Sequence, residues 1–197
     1  MRRVLTACVV LLVSIAAAGG AEKIDLATKD GVAKVNGEWR YANVKIIEVP
    51  GRNPDGSANT TYSIEPRAQA PDFDDSKWEV IDPTTLPAAR STGQVCFCWY
   101  RIRITAPPEW KGKKVALYTT VDDYGEVWVD GKLPFQVGQL NGNLVRGHNV
   151  PNRVELPDVQ PGKTWSIAIF GINGPISAVP PNWIFLTNTY LEVSDVK

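Results

Sequence analysis

The residues best suited to chemistry sit between apolar runs. Asp122, Asp123 and Tyr124 are consecutive at a bend between two strand-like segments. Asn141, Asn143, Arg146, His148 and Asn149 crowd one Gly-rich stretch; Asn173, Gly174 and the run Ala178 to Trp183 form another after an apolar segment. Planar polar groups of these types hydrogen-bond sugar hydroxyls, and an aromatic face packs on the C–H side of a pyranose ring. If the stretches meet at one rim, Trp183 or Tyr124 would be the stacking platform. The same residues also suit plain turn chemistry, with Asp122 and Asp123 capping a tight bend.

Other constellations are weaker. A glycosidase needs two carboxylates facing each other across a cleft, ~5 to 9 Å apart. Asp122, Asp123 and Glu126 instead lie on one turn and the strand that follows. Ser-His-Asp chemistry would rest on His148, the one histidine, with no Gly-x-Ser-x-Gly elbow. No complete catalytic constellation is present, so enzymatic activity is left open and disfavoured. Asp72, Asp74 and Asp75 group hard oxygens that suit a structural calcium, although their spacing is not an EF-hand loop. The alternative is a turn leading into Trp78. No other cofactor is indicated. Pro161-Gly162-Lys163-Thr164 mimics the end of a phosphate loop, but Pro157 stands where the first Gly is required. Cys96 and Cys98 lie two apart in a strand, with Cα atoms ~6.6 Å apart and parallel side chains. That fits two buried thiols better than a disulfide.

The elements that must hold these residues read as β throughout. Fifteen Pro and sixteen Gly punctuate short alternating runs, the pattern of a sandwich or barrel. Expected strands are Glu38 to Val49, with Val44, Ile46 and Tyr41 inward, then Thr61 to Glu65, Trp78 to Ile81 and Val95 to Thr105. Lys113 to Val121 follows, with Val115, Leu117, Thr119 and Val121 inward. The remainder are the hairpin Glu126 to Phe135, then Asn152 to Leu156, Lys163 to Gly171 and Trp183 to Val193. Gly51 to Thr60 reads as an exposed loop. In the Val95 to Thr105 strand both faces are apolar at first, which predicts burial there and exposure beyond Arg101. Asp130-Gly131 is the dipeptide a two-residue type I′ turn requires. Trp78, Trp99, Trp128 and Trp165 are expected in the core.

The first twenty residues carry Arg2 and Arg3, an apolar run from Val4 to Ile15 and the small residues Ala16 to Gly19. This is the pattern of a secretory signal peptide, too short to span a bilayer. The expected location is secreted or periplasmic, with no membrane association after cleavage. Removing the two arginines leaves 19 basic against 21 acidic residues, which disfavours a nucleic-acid partner. Residues 1–20 are thus read as signal peptide, 21–36 as a flexible N-terminal arm and 37–197 as one domain.

Four segments in order carry a family pattern: FDDSKWEVIDP (Phe73 to Pro83), WYRIRITAPPEWKGKKVAL (Trp99 to Leu117), VDDYGEVWVDGK (Val121 to Lys132) and VELPDVQPGKTWSIAIFG (Val154 to Gly171). They resemble the sugar-binding domain of glycoside hydrolase family two, a galactose-binding-like fold. The resemblance implies an all-β jelly-roll β-sandwich of two antiparallel sheets. It also implies a polar residue at Asp122 approaching sugar held by a neighbouring catalytic domain. The segments WRYANVKIIEV, DFDDSKW, DDYGEVWVDGKLP and FGINGPIS are similar to an accessory module preceding the propeller of some secreted gluconolactonase-like proteins. Together these imply a non-catalytic carbohydrate-binding module. The alternatives are an accessory domain or docking partner of a secreted enzyme, or a structural cell-surface protein without sugar binding.

Overall fold

The computed structural model describes residues 20–91, 96–133, 150–173 and 183–196. Its strands are β1 (Glu22–Asp25), β2 (Trp39–Arg52), β3 (Ala58–Glu65), β4 (Glu79–Ile81) and β5 (Phe97–Thr105), followed by β6 (Lys113–Val121), β7 (Tyr124–Val129), β8 (Asn152–Glu155), β9 (Thr164–Ile172) and β10 (Leu186–Asp195). A short α-helix, α1, covers Lys29–Lys34. The pairings are antiparallel and form two sheets. The smaller runs β1-β10-β6-β8; the larger runs β3-β2-β5-β9-β7, with β4 also paired to β2. The expected all-β sandwich is what the chain forms.

Side chains alternate along each strand, so one face of each sheet turns inward. Tyr100, Ile102 and Ile104 of β5 and Trp165, Ile167 and Ile169 of β9 meet Val115 and Leu117 of β6 and Leu191 and Val193 of β10. A second apolar cluster lies on the outer face of the larger sheet. There Val44, Trp99 and Phe170 are covered by the segment carrying Ala68, Phe73 and Trp78. Asp75 fastens this cover. Its carboxylate accepts from Arg101 Nε at 2.8 Å and from Arg103 at 2.9 Å. Arg101 also donates to the carbonyls of Ala68 and Ala70.

Several expectations change. Residues 21–36 are not a flexible arm: β1 adds an edge strand to β10, and Ile24, Leu26 and Val35 are buried. The Trp39 indole donates to the Leu26 carbonyl at 3.0 Å, tying the segment down. Thr28 caps α1, its hydroxyl accepting from Gly31 N–H at 3.0 Å. Ile46 is not inward but 48% exposed, because β2 and β3 run on to Arg52 and Ala58 as a ribbon past the sandwich edge. Tyr41 joins the inner core and Val44 the outer cluster, as their odd separation requires. On the outer face of β5 exposure begins at Arg103, as expected, while Arg101 is 1% exposed because Asp75 neutralises it. Trp99 and Trp165 are fully buried, while Trp78 and Trp128 pack half-buried on the outer cluster. Asp130 and Gly131 have φ of 48° and 74°, and Val129 and Lys132 exchange two 3.0 Å hydrogen bonds across them, which is the expected turn. Cys96 and Cys98 are buried and are not joined in a disulfide, as expected.

Candidate functional site at one end of the sandwich

The chain passes from the smaller to the larger sheet between β6 and β7, and returns between β9 and β10. Val121 pairs with Leu186 and Tyr124 with Ile172, so both crossings lie at the same end. The bend at Asp122 and Asp123 is stitched to each side: Asp122 N–H donates to Phe185 O and Asp123 N–H to Ile172 O, both at 3.1 Å. Gly125 is required just beyond, since a Cβ there would lie 2.4 Å from Val121. Asn152, fully buried, donates to Gly125 O at 3.2 Å and ties β8 beneath the bend.

Asn173 organises the rim. It is only 6% exposed, and its amide donates to Trp183 O and, at 3.4 Å, to the carbonyl and carboxylate of Asp122. A buried amide needs such partners, so Asn173 holds Asp122 and Trp183 in one constellation. Trp183 itself is 40% exposed. The arrangement brings the exposed Trp183, the half-buried Asp122 and the buried Asn173 amide together at one end of the sandwich. The two aspartates are adjacent on one bend and do not form opposed walls.

The other expected site residues are distributed. Asp123 is buried. Tyr124 is turned to Glu126, its hydroxyl donating at 3.3 Å, while the Trp128 indole donates to the other carboxylate oxygen of Glu126 at 3.4 Å. Burial, reinforced by the Glu126 charge, pushes the Tyr124 phenol up to about 12, so it is a hydrogen-bond donor at neutral pH. Asn141, Asn143, Arg146, His148 and Asn149 lie outside the described residues, as do Gly174, the run from Ala178 to Asn182 and residues 1–19. Asp72, Asp74 and Asp75 do not converge: among the described residues no group of three metal-ligating side chains forms. Asp75 is held by its two arginines, and Asp74 accepts from Ser76 N–H at 3.0 Å.

The sequence did not single out Phe185, just before β10, or Thr187, Asn188 and Tyr190 on β10 and Tyr118 on β6, which line one surface concavity. A signal existed. Trp183 and Phe185 are apolar at odd positions, yet Leu191 and Val193 continue the apolar inward set at odd positions too. Ile184 and Leu186 are apolar at even positions, however, and they can face inward together with Leu191 and Val193 only if the strand changes parity, which requires a bulge between the two pairs.

Neither protein-family models nor curated proteins match the sequence. Solved structures do. β-Glucuronidase 2 of Bacteroides uniformis, covalently bound to cyclophellitol-6-carboxylate aziridine, superimposes with a TM-score of 0.54 at 16% identity over 89% of this chain. A calcium-binding mutant of the same enzyme gives 0.53 at 16% identity over 89% of this chain. The likeness establishes the fold. It bears out, at that level, the resemblance to the sandwich domain of glycoside hydrolase family two. A family two glycosyl hydrolase from Bacteroides cellulosilyticus also matches, with a TM-score of 0.49 at 15% identity over 80% of this chain and 20% of its own. The chain spans only 18% of the length of either β-glucuronidase structure.

Proposed function

We propose that this chain is an exported, non-catalytic carbohydrate-recognition domain that binds sugar at the rim built by Asp122, Asn173 and Trp183. The observation that carries the reading is the 40% exposed Trp183, whose backbone carbonyl the buried Asn173 amide ties to Asp122. An apolar platform bordered by fixed polar groups is the usual chemistry of a sugar site. A glycan-array screen of the purified protein tests it, followed by titration of the best binder against Trp183→Ala. Loss of binding on substitution, with an unchanged melting temperature, is the expected outcome. Unchanged affinity removes the rim from the account.

A second reading is favoured by a different surface. Ile46 and Tyr62 lie on the same face of the β2–β3 ribbon and are 48% and 67% exposed. Large apolar side chains on a projecting ribbon suit contact with another protein. In this reading the chain is an accessory domain docked on a secreted hydrolase through the ribbon. Co-expression with such an enzyme and co-purification lost on Ile46→Ser with Tyr62→Ser would support it; co-purification that survives both substitutions would count against it.

A further inference from the structure

The rim does not stop at Trp183. Ile184 and Leu186 are buried, so Trp183, Phe185 and Thr187 share the outward side of the chain entering β10. Beyond Thr187 the pairing of β10 with β6 shifts register. Asn188 there has φ of 48°, and a β-bulge of this kind re-aims the side chains on either side of it. The bulge is fixed from below: the buried Thr189 hydroxyl is 2.9 Å from that of Thr119, and Thr189 O accepts from Leu26 N–H at 3.0 Å. After the bulge, Tyr190 faces outward.

A concavity of about 720 Å³ lies over this line; Thr187 and Tyr190 of β10 and their paired partners Thr120 and Tyr118 of β6 form its floor, and Phe185, Asn188, Lys23 and Pro151 complete its lining. One end is walled by a four-membered stack. Tyr118 and Tyr190 stack 4.8 Å apart, 7° from parallel. Lys23, from the strand beyond Tyr190, lies 3.9 Å from that ring's centre, and Arg153, from the strand beyond Tyr118, lies 5.5 Å from the other. The inner tyrosine faces are thereby occupied, and the remaining aromatic side chain lining the concavity is the partly buried Phe185. It is bordered by Thr120, Thr187 and Asn188, all uncharged, and the charged lining residue, Lys23, is engaged over the Tyr190 ring. That is a surface for a neutral, hydroxylated ring. From Trp183 to Tyr190 the strand covers roughly 20 Å at the usual rise per residue, more than one sugar ring occupies.

We infer that the groove continues the rim site and that the ligand is a neutral oligosaccharide laid along β10, with one unit at Trp183 and further units over Phe185 and the bulge. This rests on the rim reading of the function, and the two are separable by experiment. Isothermal titration would use neutral gluco-, manno-, xylo- and galacto-oligosaccharides of one to six units. In at least one series Kd should fall at least tenfold from one unit to four. Phe185→Ala and Asn188→Gly should abolish that gain and leave the single-unit affinity unchanged. Glycine tolerates the positive φ at position 188, so the second variant keeps the bulge and guards against misfolding in the first. Affinity independent of length in every series, but lost on Trp183→Ala, overturns the groove and leaves the rim. A length gain that survives both groove variants also overturns the groove. No binding by the unaltered protein overturns both.

Discussion

Replacing Asp75 by Asn removes the charge that fastens the outer cover to the larger sheet. Arg101 is 1% exposed and Asp75 only slightly more so, and they meet at 2.8 Å. Breaking a buried pair from one side leaves a buried charge uncompensated and costs about 3 to 5 kcal/mol. Arg103 is half exposed and is counted for little. For a domain of this size each kcal/mol moves the melting temperature by about 2 to 4 °C, so Asp75→Asn should lower it by roughly 6 to 20 °C at neutral pH. The loss should depend on pH. Burial pushes the Asp75 carboxyl up, but hydrogen bonds and charges from Arg103 and Arg101 outweigh it and hold the group below its ordinary range. A carboxylate depressed on folding stabilises the protein above its unfolded value, about 3.9, and that stabilisation fades as pH falls through the folded value. The gap between the melting curves of the two proteins, followed from pH 7 down to pH 2, should therefore begin to narrow only below about pH 4. A gap under 1 kcal/mol at pH 7, or one that stays constant into acid, would refute the role given to Asp75.

Other outcomes follow from the same packing. Leu26→Ala should cost roughly 2 to 5 kcal/mol by denaturant unfolding, as for a fully buried leucine; a change below 0.5 kcal/mol would return residues 21–36 to a loose arm. Burial pushes both the Cys96 and Cys98 thiols up, so a thiol reagent at pH 8 should label neither in the native protein and both after denaturation. With Asp75 given to arginines, excess calcium should leave the melting temperature unchanged; a rise of several degrees reversed by a chelator would restore a metal role to Asp72, Asp74 and Asp75.

The strands from β5 to β7 were legible because period-two alternation and the Asp130-Gly131 turn act locally. The Lys113–Val121 strand was read with its inward residues correct, since Val115, Leu117, Thr119 and Val121 need no distant partner to declare their face. What holds Arg101 was not legible, for the opposite reason: its burial depends on Asp75, 26 residues earlier, and no local pattern carries that pairing. Ile46 was misread because an apolar residue on a strand announces a face, not whether anything covers it. The arm was misread because β1 is four residues long and owes its order to β10 at the far end of the chain. At the rim, Asp122, Asn173 and Trp183 were each identified from residue type. That Asn173 binds the other two, and that the bulge at Asn188 extends the surface, required the sheet register.

The central claim is that sugar is held against the exposed Trp183 indole. Its most direct test is the titration of the seven tryptophan indole N–H resonances with the best glycan from the array, assigned by Trp183→Phe. The account predicts that the Trp183 signal shifts in a saturable manner while those of the buried Trp39, Trp99, Trp110 and Trp165 stay in place. A bound glycan that leaves the Trp183 signal unmoved would contradict it.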